Sequence, residues 1–392
     1  MHHSLIFKDK EKLSPRYIPE NLPHREDQIK TLKSFLWNSL QNPSKALLQV
    51  LQIMGDVGSG KTVTTLRFGD EFQKEAIRRK INLKHVYINP KVHGSSRIIL
   101  YRYLVQEAAP EIFSANLSAE ELLIELIRHL QRTNRYLLIS FDEIDYFVKH
   151  SKESVIYDLT RLNEISPGRP TCVLGIIFTA RSTKFHEKLD RAELSTLGAF
   201  PIRFDSYSSK EVFDILEARV GGAFQPRAIT NDVLEYIADI TSSSPVNGDV
   251  RYALDLLLYS GTLASNEGAE AVNQEHVRKV VNATHPSITD EDILNLSEKG
   301  RVVLLAIARA LKRAKSSYVS LREIRSTCGI VCEEYRLKKI DEIEEQVQDL
   351  ADRDIIDIKS LTSIGISGVS TEALERFLDK LVDRIRIGID KS

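Results

Sequence analysis

The stretch Gly55–Thr62, GDVGSGKT, constrains this chain more than any other. It fits the template Gly-x4-Gly-Lys-Thr at every fixed position, a backbone shape that closes around phosphate groups. The apolar run Leu47–Met54 precedes it, and a segment with helical pattern, Thr62–Arg79, follows. Strand, glycine loop and helix in that order let Gly55, Gly58 and Gly60 bend the backbone so that its N–H groups converge. The helix N-terminus adds partial positive charge at the same point. The expected phosphate cradle is therefore Gly55, Asp56, Val57, Gly58, Ser59, Gly60, Lys61, Thr62 and Val63. Lys61 is expected to reach β- and γ-phosphates, and the Thr62 hydroxyl to hold Mg2+.

A second constraint comes from Tyr136–Tyr146, YLLISFDEIDY. A continuous apolar strand ending in two carboxylates is what a parallel sheet buried on both faces produces, and ligands collect at the carboxyl ends of such strands. Asp142 is expected to hold Mg2+ through water and Glu143 to activate an attacking water. Lys84–Pro90, Thr171–Thr179 and Ala199–Phe204 read as further strands, with helical segments at Gly94–Leu104, Ser118–Gln131 and Tyr157–Leu162. This alternation predicts an α/β domain with a mostly parallel sheet. The polar exit of the Thr171–Thr179 strand makes Thr179 and Arg181 candidates for sensing a γ-phosphate. Ahead of the first strand, Ser14–Lys33 carries three prolines, Pro15, Pro19 and Pro23, leading into a helix. It reads either as an arm packed on the domain or as one lying over a nucleotide base.

With 392 residues the chain has length for two or three domains and a large core. A net charge of −1 excludes a global basic field, so any nucleic-acid surface must be local. Cys172, Cys328 and Cys332 suggest no disulfide framework and a reducing cytoplasm, and Cys328 and Cys332 have no histidine near enough for a zinc site. Met1–Glu20 is too polar for a signal peptide, and no apolar run approaches a membrane span.

The pattern changes after Phe204. Ser209–Val220, Asn231–Thr241, Gly248–Leu263 and Asn273–Ala283 read as four helices, with Gly221, Gly222 and Pro226 forming a hinge in the link Val220–Ile229. Within Gly248-Asp249-Val250-Arg251, Asp249 suits a helix N-terminus, whereas Arg251 opposes the helix dipole and calls for an anion such as a γ-phosphate. A polar linker, Thr284–Ile293, leads to a third unit. Its order is a helix at Glu298–Arg313, a short helix at Ser320–Thr327, a helix at Tyr335–Arg353, strands at Ile355–Ile358 and Ile364–Ser367, and a closing helix at Thr371–Ile385. That is the winged-helix order. Arg336, Lys338 and Lys339 would stand at the N-terminal end of the recognition helix, and Lys359 in the wing. Asp341, Glu342, Glu344, Glu345, Asp349 and Asp352 follow and would repel phosphate, so a protein-contacting winged helix is the competing reading. The expected division is 1–207, 208–290 and 291–392.

The chain resembles the archaeal replication initiators of the AAA+ class, the group shared by origin recognition complex subunit 1 and cell division control protein 6. The resemblance rests on IFKDKEKLSPRYIPENLPHRE, GDVGSGKT, LLISFDEIDYF, KLDRAELSTLG and GDVRYALDLLL, followed by a winged helix. It implies an ATPase core with a parallel sheet, an all-α lid and a C-terminal winged helix that binds DNA. Pro19, His24 and Arg25 match the family's arm near adenine, Lys61 and Thr62 its phosphate and Mg2+ contacts, Asp142 and Glu143 its second acidic motif, and Arg251 its second sensor. A core helix near Gly94–Arg102, with Lys91, Arg97 and Arg102, matches one the family uses on DNA. Two departures stand out. The run GIIFTAR lacks the asparagine usual at that strand end, and Ala192 occupies the position of the arginine that acts in trans, with Arg191 adjacent.

These readings lead to an ATP- or ADP-switched initiator that binds origin double-stranded DNA beside paralogous initiator subunits and helps load the minichromosome maintenance helicase. Hydrolysis is expected to be slow, since an arginine finger contributes several orders of magnitude in rate. The expected location is the cytoplasm, on the nucleoid, with no membrane contact. Two rivals are a regulatory or scaffolding ATPase whose winged helix binds protein, and a motor or clamp-loader ATPase working in a ring.

Overall fold

The buried strands form one parallel sheet in the computed structural model, which describes residues 6–198, 201–284, 290–353, 355–366 and 369–389. Ala199, Phe200, the linker residues 285–289 and Ser367, all part of elements expected from sequence, lie outside the described residues. By contacts the chain divides into two units. One is Ile18–Tyr207 with Gly248–Val250. The other gathers the residues before Ile18, Ser208–Asn247 and the chain from Arg251 onward.

In the first unit the order is α1 (Glu26–Leu36), β1 (Gln49–Gly55), α2 (Lys61–Arg78), β2 (Leu83–Ile88), α3 (Pro90–His93), α4 (Arg97–Ala108), α5 (Ala119–Thr133) and β3 (Tyr136–Phe141). It continues with α6 (Ile144–His150), α7 (Val155–Thr160), α8 (Leu162–Ile165), β4 (Val173–Ala180), α9 (Arg191–Thr196) and β5 (Pro201–Phe204). The strand order is β2-β3-β4-β1-β5, and neighbouring strands pair in parallel. Every residue of β3 and β4 is buried, as the unbroken apolar runs require of strands covered on both faces. The register pairs Phe141 with Phe178, so Asp142 and Thr179 emerge side by side. β1 is an interior strand between β4 and β5, and because the strands are parallel the phosphate loop leaves the sheet at the end where Asp142 emerges.

The second unit begins with α10 (Ser209–Ala223), α11 (Asn231–Ser242), α12 (Val250–Asn266) and α13 (Gln274–Thr284). The expected hinge at Gly221 and Gly222 is not there. Both glycines lie in the last turn of α10, which runs to Ala223 because Ser208 and Glu211 form a capping box at its start and nothing breaks it before Phe224. Residues 6–17, expected with the core, pack instead on these helices. Lys8 and Asp9 donate their amides to Ala223 O at 2.9 and 3.0 Å, Gln225 donates to Ile6 O at 2.9 Å, and the Phe7 ring packs at a tilt against Phe224.

The remaining elements are α14 (Asp290–Leu294), α15 (Glu298–Ala314), β6 (Tyr318–Val319), α16 (Leu321–Glu334), α17 (Ile343–Asp352), β7 (Asp357–Ser360), β8 (Ser363–Gly365) and α18 (Thr371–Ile389). The three short strands form an antiparallel sheet in the order β6-β8-β7. This is a winged helix with one correction. The second helix is long, ending at Glu334 rather than Thr327, and the third begins at Ile343 rather than Tyr335. Arg336 adopts φ +53° and Leu337 donates back to Cys332 O at 2.8 Å, a left-handed helix ending that propensity alone does not reveal.

Candidate functional site

The phosphate loop owes its course to two left-handed glycines, Gly58 at φ +73° and Gly60 at φ +87°, a region closed to most side chains. A Cβ at Gly58 would lie 1.9 Å from Asp249 Oδ1, and one at Gly60 would lie 2.6 Å from the Tyr207 hydroxyl. The Lys61 ammonium curls over the loop, 2.6 Å from Gly55 O and 2.7 Å from Asp56 O. Thr62, in the first turn of α2, donates its hydroxyl to Asp142 Oδ2 at 2.8 Å. Sequence reasoning placed these two residues together, and the structure does so across 80 residues of chain.

Asp142 is buried and collects three hydroxyl donors. Besides Thr62, Tyr87 donates to Oδ2 at 2.5 Å and Thr179 donates to Oδ1. Burial, and then the charge of Asp142, push the Tyr87 phenol well above its ordinary pKa, so it remains a donor. Thr179 also accepts from the Glu143 amide at 3.2 Å, which ties the candidate sensor to both acidic residues. Glu143 sits at φ +50°, and its carboxylate is paired with Lys91 Nζ at 2.7 Å. Tyr87 and Lys91 were not singled out for this site from sequence. The signal was available in the strand KHVYINP, whose carboxyl end lies beside that of β3 once the sheet order is known.

Arg25 is buried at 4 % exposure. Its guanidinium donates to Ser59 O at 3.0 and 2.9 Å, to Asp205 O at 2.9 Å and to His24 O at 2.6 Å, and it lies 3.8 Å over the Tyr207 ring. It therefore clamps the backbone of the phosphate loop to the exit of β5. His24, at φ +63°, and Pro19 lie on the same arm and are half-buried. Arg251 is exposed in the first turn of α12, two residues after Asp249. Arg181 and Arg191 are exposed, the latter opening α9 behind the capping box of Asp190 and Glu193.

The donor set suits a nucleotide with a hard divalent cation. A lysine, a hydroxyl and a carboxylate converge on a loop whose glycines admit Phe204, Asp249 and Tyr207 closer than any Cβ would allow. Among the described residues no group of three or more His, Cys, Asp or Glu side chains could hold a metal, so such an ion would draw most of its oxygens from phosphate and water. The three cysteines are buried and free, and burial beside Cys332 pushes the Cys328 thiol up to about 12.

The expected DNA contacts divide differently. Arg97 is held by Asp158 at 2.9 Å and Glu120 at 2.5 Å, with Glu153 at 4.0 Å. Burial works against its charge, but Asp158 and Glu120 hold its pKa above the usual guanidinium value. Arg102 donates to Ala115 O at 3.1 Å. With Lys91 on Glu143, the expected core surface at Lys91, Arg97 and Arg102 is committed within the domain. Arg336, Lys338 and Lys339 are exposed, but in the turn between α16 and α17 rather than on a recognition helix. Lys359 is paired with Asp239 of α11 and lies 4.8 Å over the Tyr318 ring.

Two family models match this chain, the AAA domain over residues 48–189 and the Cdc6 AAA+ ATPase-type lid domain over residues 213–282. The chain is 34% identical over 336 residues to ORC1-type DNA replication protein 2 of Saccharolobus solfataricus, covering 84% of this chain and 79% of that one. It is 32% identical over 305 residues to the ORC1-type DNA replication protein of Pyrococcus horikoshii, covering 77% and 71%. The chain belongs to the ORC1-type DNA replication proteins. Among solved structures, Cdc6p from Pyrobaculum aerophilum superposes with a TM-score of 0.83 at 26% identity over 97% of this chain and 99% of that one. The Aeropyrum pernix ORC1 protein, solved in complex with DNA, shares the fold with a TM-score of 0.63 at 24% identity over 98% and 100%. No helix among the described residues is long and apolar enough to cross a membrane.

Proposed function

We propose that this ORC1-type protein binds ATP or ADP with Mg2+ at the phosphate loop, binds origin double-stranded DNA according to the nucleotide held, and helps recruit the minichromosome maintenance helicase. The observation that carries the reading is the 2.8 Å contact between the Thr62 hydroxyl and the Asp142 carboxylate at the mouth of the loop. A bound Mg2+ would supply charge neutralisation at the phosphate oxygens. Lys61 would bind the outer phosphates, Thr62 and Asp142 would hold the ion and its waters, and Glu143 would accept a proton from the attacking water. Thr179 would link the state of that site to Asp142 and Glu143, and Arg25 would keep the loop backbone in place. Arg251 would read the γ-phosphate from the helical part. In this reading residues 18–207 act as ATPase core, residues 208–290 with the segment before Ile18 as lid, and residues 291–392 as DNA reader. Arg336, Lys338 and Lys339 would meet the duplex, with paralogous subunits alongside.

The test is a salt titration of binding to origin-derived and random duplexes, with ATP, with ADP and without nucleotide. The reading expects preference for origin DNA, a steep fall with salt, and a nucleotide effect abolished by Lys61→Ala. Equal binding in all nucleotide states, or none at moderate salt, would remove it.

A second reading, in which the winged helix contacts protein, is favoured by one feature. The exposed face of α17 carries Glu344, Glu345 and Asp352, and the helix holds no Lys or Arg.

A further inference from the structure

Asp142 accepts four hydrogen bonds at the carboxyl end of β3. On Oδ2 the Thr62 hydroxyl donates at 2.8 Å and the Tyr87 hydroxyl at 2.5 Å. On Oδ1 the Glu143 amide donates at 3.0 Å, joined by the Thr179 hydroxyl. A carboxylate has about four acceptor positions, two on each oxygen, so the protein itself saturates this one. Mg2+ keeps several of its waters when carboxylates bind it, and those waters need carboxylate oxygens to donate to. An Asp142 that helps hold such an ion must therefore give up one of its four donors.

The four differ in what else fixes them. The Glu143 amide belongs to the backbone that follows β3. Thr179 is fully buried, and its hydroxyl oxygen also accepts from that amide at 3.2 Å. Thr62 needs no displacement. A hydroxyl that donates its proton keeps two lone pairs, so Thr62 can hold Asp142 and offer its oxygen to a cation at once. Tyr87 is half-buried, and beyond Asp142 its hydroxyl has only Asn89 Nδ2 at 3.5 Å among the described residues. The phenol carries that hydroxyl at the end of a rigid ring, so a small rotation about χ1 sweeps it clear of the carboxylate. Tyr87 also shares Oδ2 with Thr62, the residue whose hydroxyl suits the ion.

We propose that Tyr87 gates metal loading at the phosphate loop: its hydroxyl holds the acceptor position on Asp142 Oδ2 that an ion-bound water would use, and Tyr87 yields it when a hard divalent cation binds with nucleotide. The proposal rests on the reading of this loop as a nucleotide and Mg2+ site, and it adds the residue that sets how much Mg2+ the site requires. Tyr87 acts through Asp142, which makes it a positioning residue. β2 then supplies a competitor for Asp142 through Tyr87 and leads, through α3, to the ammonium that pairs with Glu143.

Fluorescence titrations of N-methylanthraniloyl-ADP with the full chain, in EDTA and over a series of Mg2+ concentrations, test the proposal. For the parent protein, nucleotide affinity should rise with Mg2+ to a plateau. Tyr87→Phe keeps the ring and removes the hydroxyl. The Mg2+ concentration at half the rise should fall about three- to tenfold in that variant, with affinity in EDTA within about twofold of the parent's. Tyr136→Phe removes a phenol that donates to Asn134 at the opposite end of the sheet and should leave both values unchanged. Thr62→Val should flatten the Mg2+ response. Thermal melts would show that each variant folds, and Tyr87→Leu serves if Tyr87→Phe does not. An unchanged or higher Mg2+ requirement without the Tyr87 hydroxyl overturns the proposal and leaves the nucleotide reading intact. No nucleotide binding by the parent protein, or binding indifferent to Mg2+, overturns that reading and the proposal with it.

Discussion

Lys91 Nζ lies 2.7 Å from Glu143 Oε1, so the carboxylate proposed to accept a proton from water is already paired with an ammonium. Lys91 enters from α3, just past the end of β2, and its head also lies 5.3 Å over the Tyr146 ring. A carboxylate held this way has an oxygen turned toward its partner rather than toward an attacking water. Lys91→Ala is therefore expected to raise steady-state ATP turnover by roughly three- to tenfold, with nucleotide affinity nearly unchanged. Glu143→Gln should abolish turnover in either background while nucleotide stays bound. A drop in turnover for Lys91→Ala would instead assign Lys91 to orienting Glu143 for the reaction.

His85 supplies a pH dependence whose sign can be worked out. Burial lowers its pKa from 6.5 to about 4, and its Nε2 lies 2.8 Å from Ser140 Oγ. In the unfolded chain it titrates near its ordinary value, so between those two pH values the unfolded state binds more protons. The contribution is fully present above pH 6.5 and is lost as pH falls toward 4, amounting to about 3 kcal/mol at most. Burial also lowers His93, His186 and His276, so the whole profile sums several groups. His85→Gln isolates one of them. Urea midpoints at pH 7 and pH 5 should differ less for the variant than for the parent protein, and an equal difference would show that His85 is not the group responsible.

Two glycines in helices should respond to alanine in opposite directions. Helix propensity alone favours alanine by about 1 kcal/mol. At Gly221, in the last turn of α10, an added Cβ meets nothing within 4 Å, so Gly221→Ala should raise stability by about 0.5–1 kcal/mol. At Gly69, in α2, the Cβ would lie 2.0 Å from His85 Nδ1, and the ring is held by Ser140. Gly69→Ala should therefore cost about 1–3 kcal/mol despite the better helix former. Thermal midpoints measure both. A destabilised Gly221→Ala would revive the hinge that the sequence suggested there.

The contrast between those glycines illustrates what could be read before the structure. A glycine pair followed by a proline looks like a hinge in one dimension, and only the capping box at Ser208 and the run to Ala223 show that the helix absorbs it. The phosphate loop, the acidic strand end and the parallel sheet were legible because local chemistry dictates them: positive φ at Gly58 and Gly60, unbroken apolar runs, and carboxylates at a strand terminus. What was not legible depends on partners far along the chain. Tyr87 reaches Asp142 only because β2 borders β3, and Arg97 is neutralised by three carboxylates from Glu120, Glu153 and Asp158. A basic residue on a helix therefore looked available to DNA when tertiary contacts had already claimed it. Arg336, Lys338 and Lys339 were displaced from their expected helix by a left-handed residue whose position depends on packing at Cys332.

Stability and DNA affinity should accordingly separate between the two groups of basic residues. Arg97→Ala leaves Asp158, Glu120 and Glu153 facing one another without their cation, and Asp158 also accepts from Tyr101 at 2.8 Å. The loss should be about 2 kcal/mol in urea unfolding, within the range for breaking a partly buried pair, while DNA affinity of the folded protein stays the same. Arg336→Ala/Lys338→Ala/Lys339→Ala removes three exposed cations in the turn before α17 and should leave stability within about 0.5 kcal/mol. If that turn meets the duplex, each phosphate contact contributes about 0.9 to the slope of log K against log salt, so the slope should fall by roughly 2–3. An unchanged slope in the triple variant, with the acidic face of α17 beside it, would favour a winged helix that docks on protein. A slope reduced by Arg97→Ala instead would mean that α4 releases its carboxylates to bind DNA.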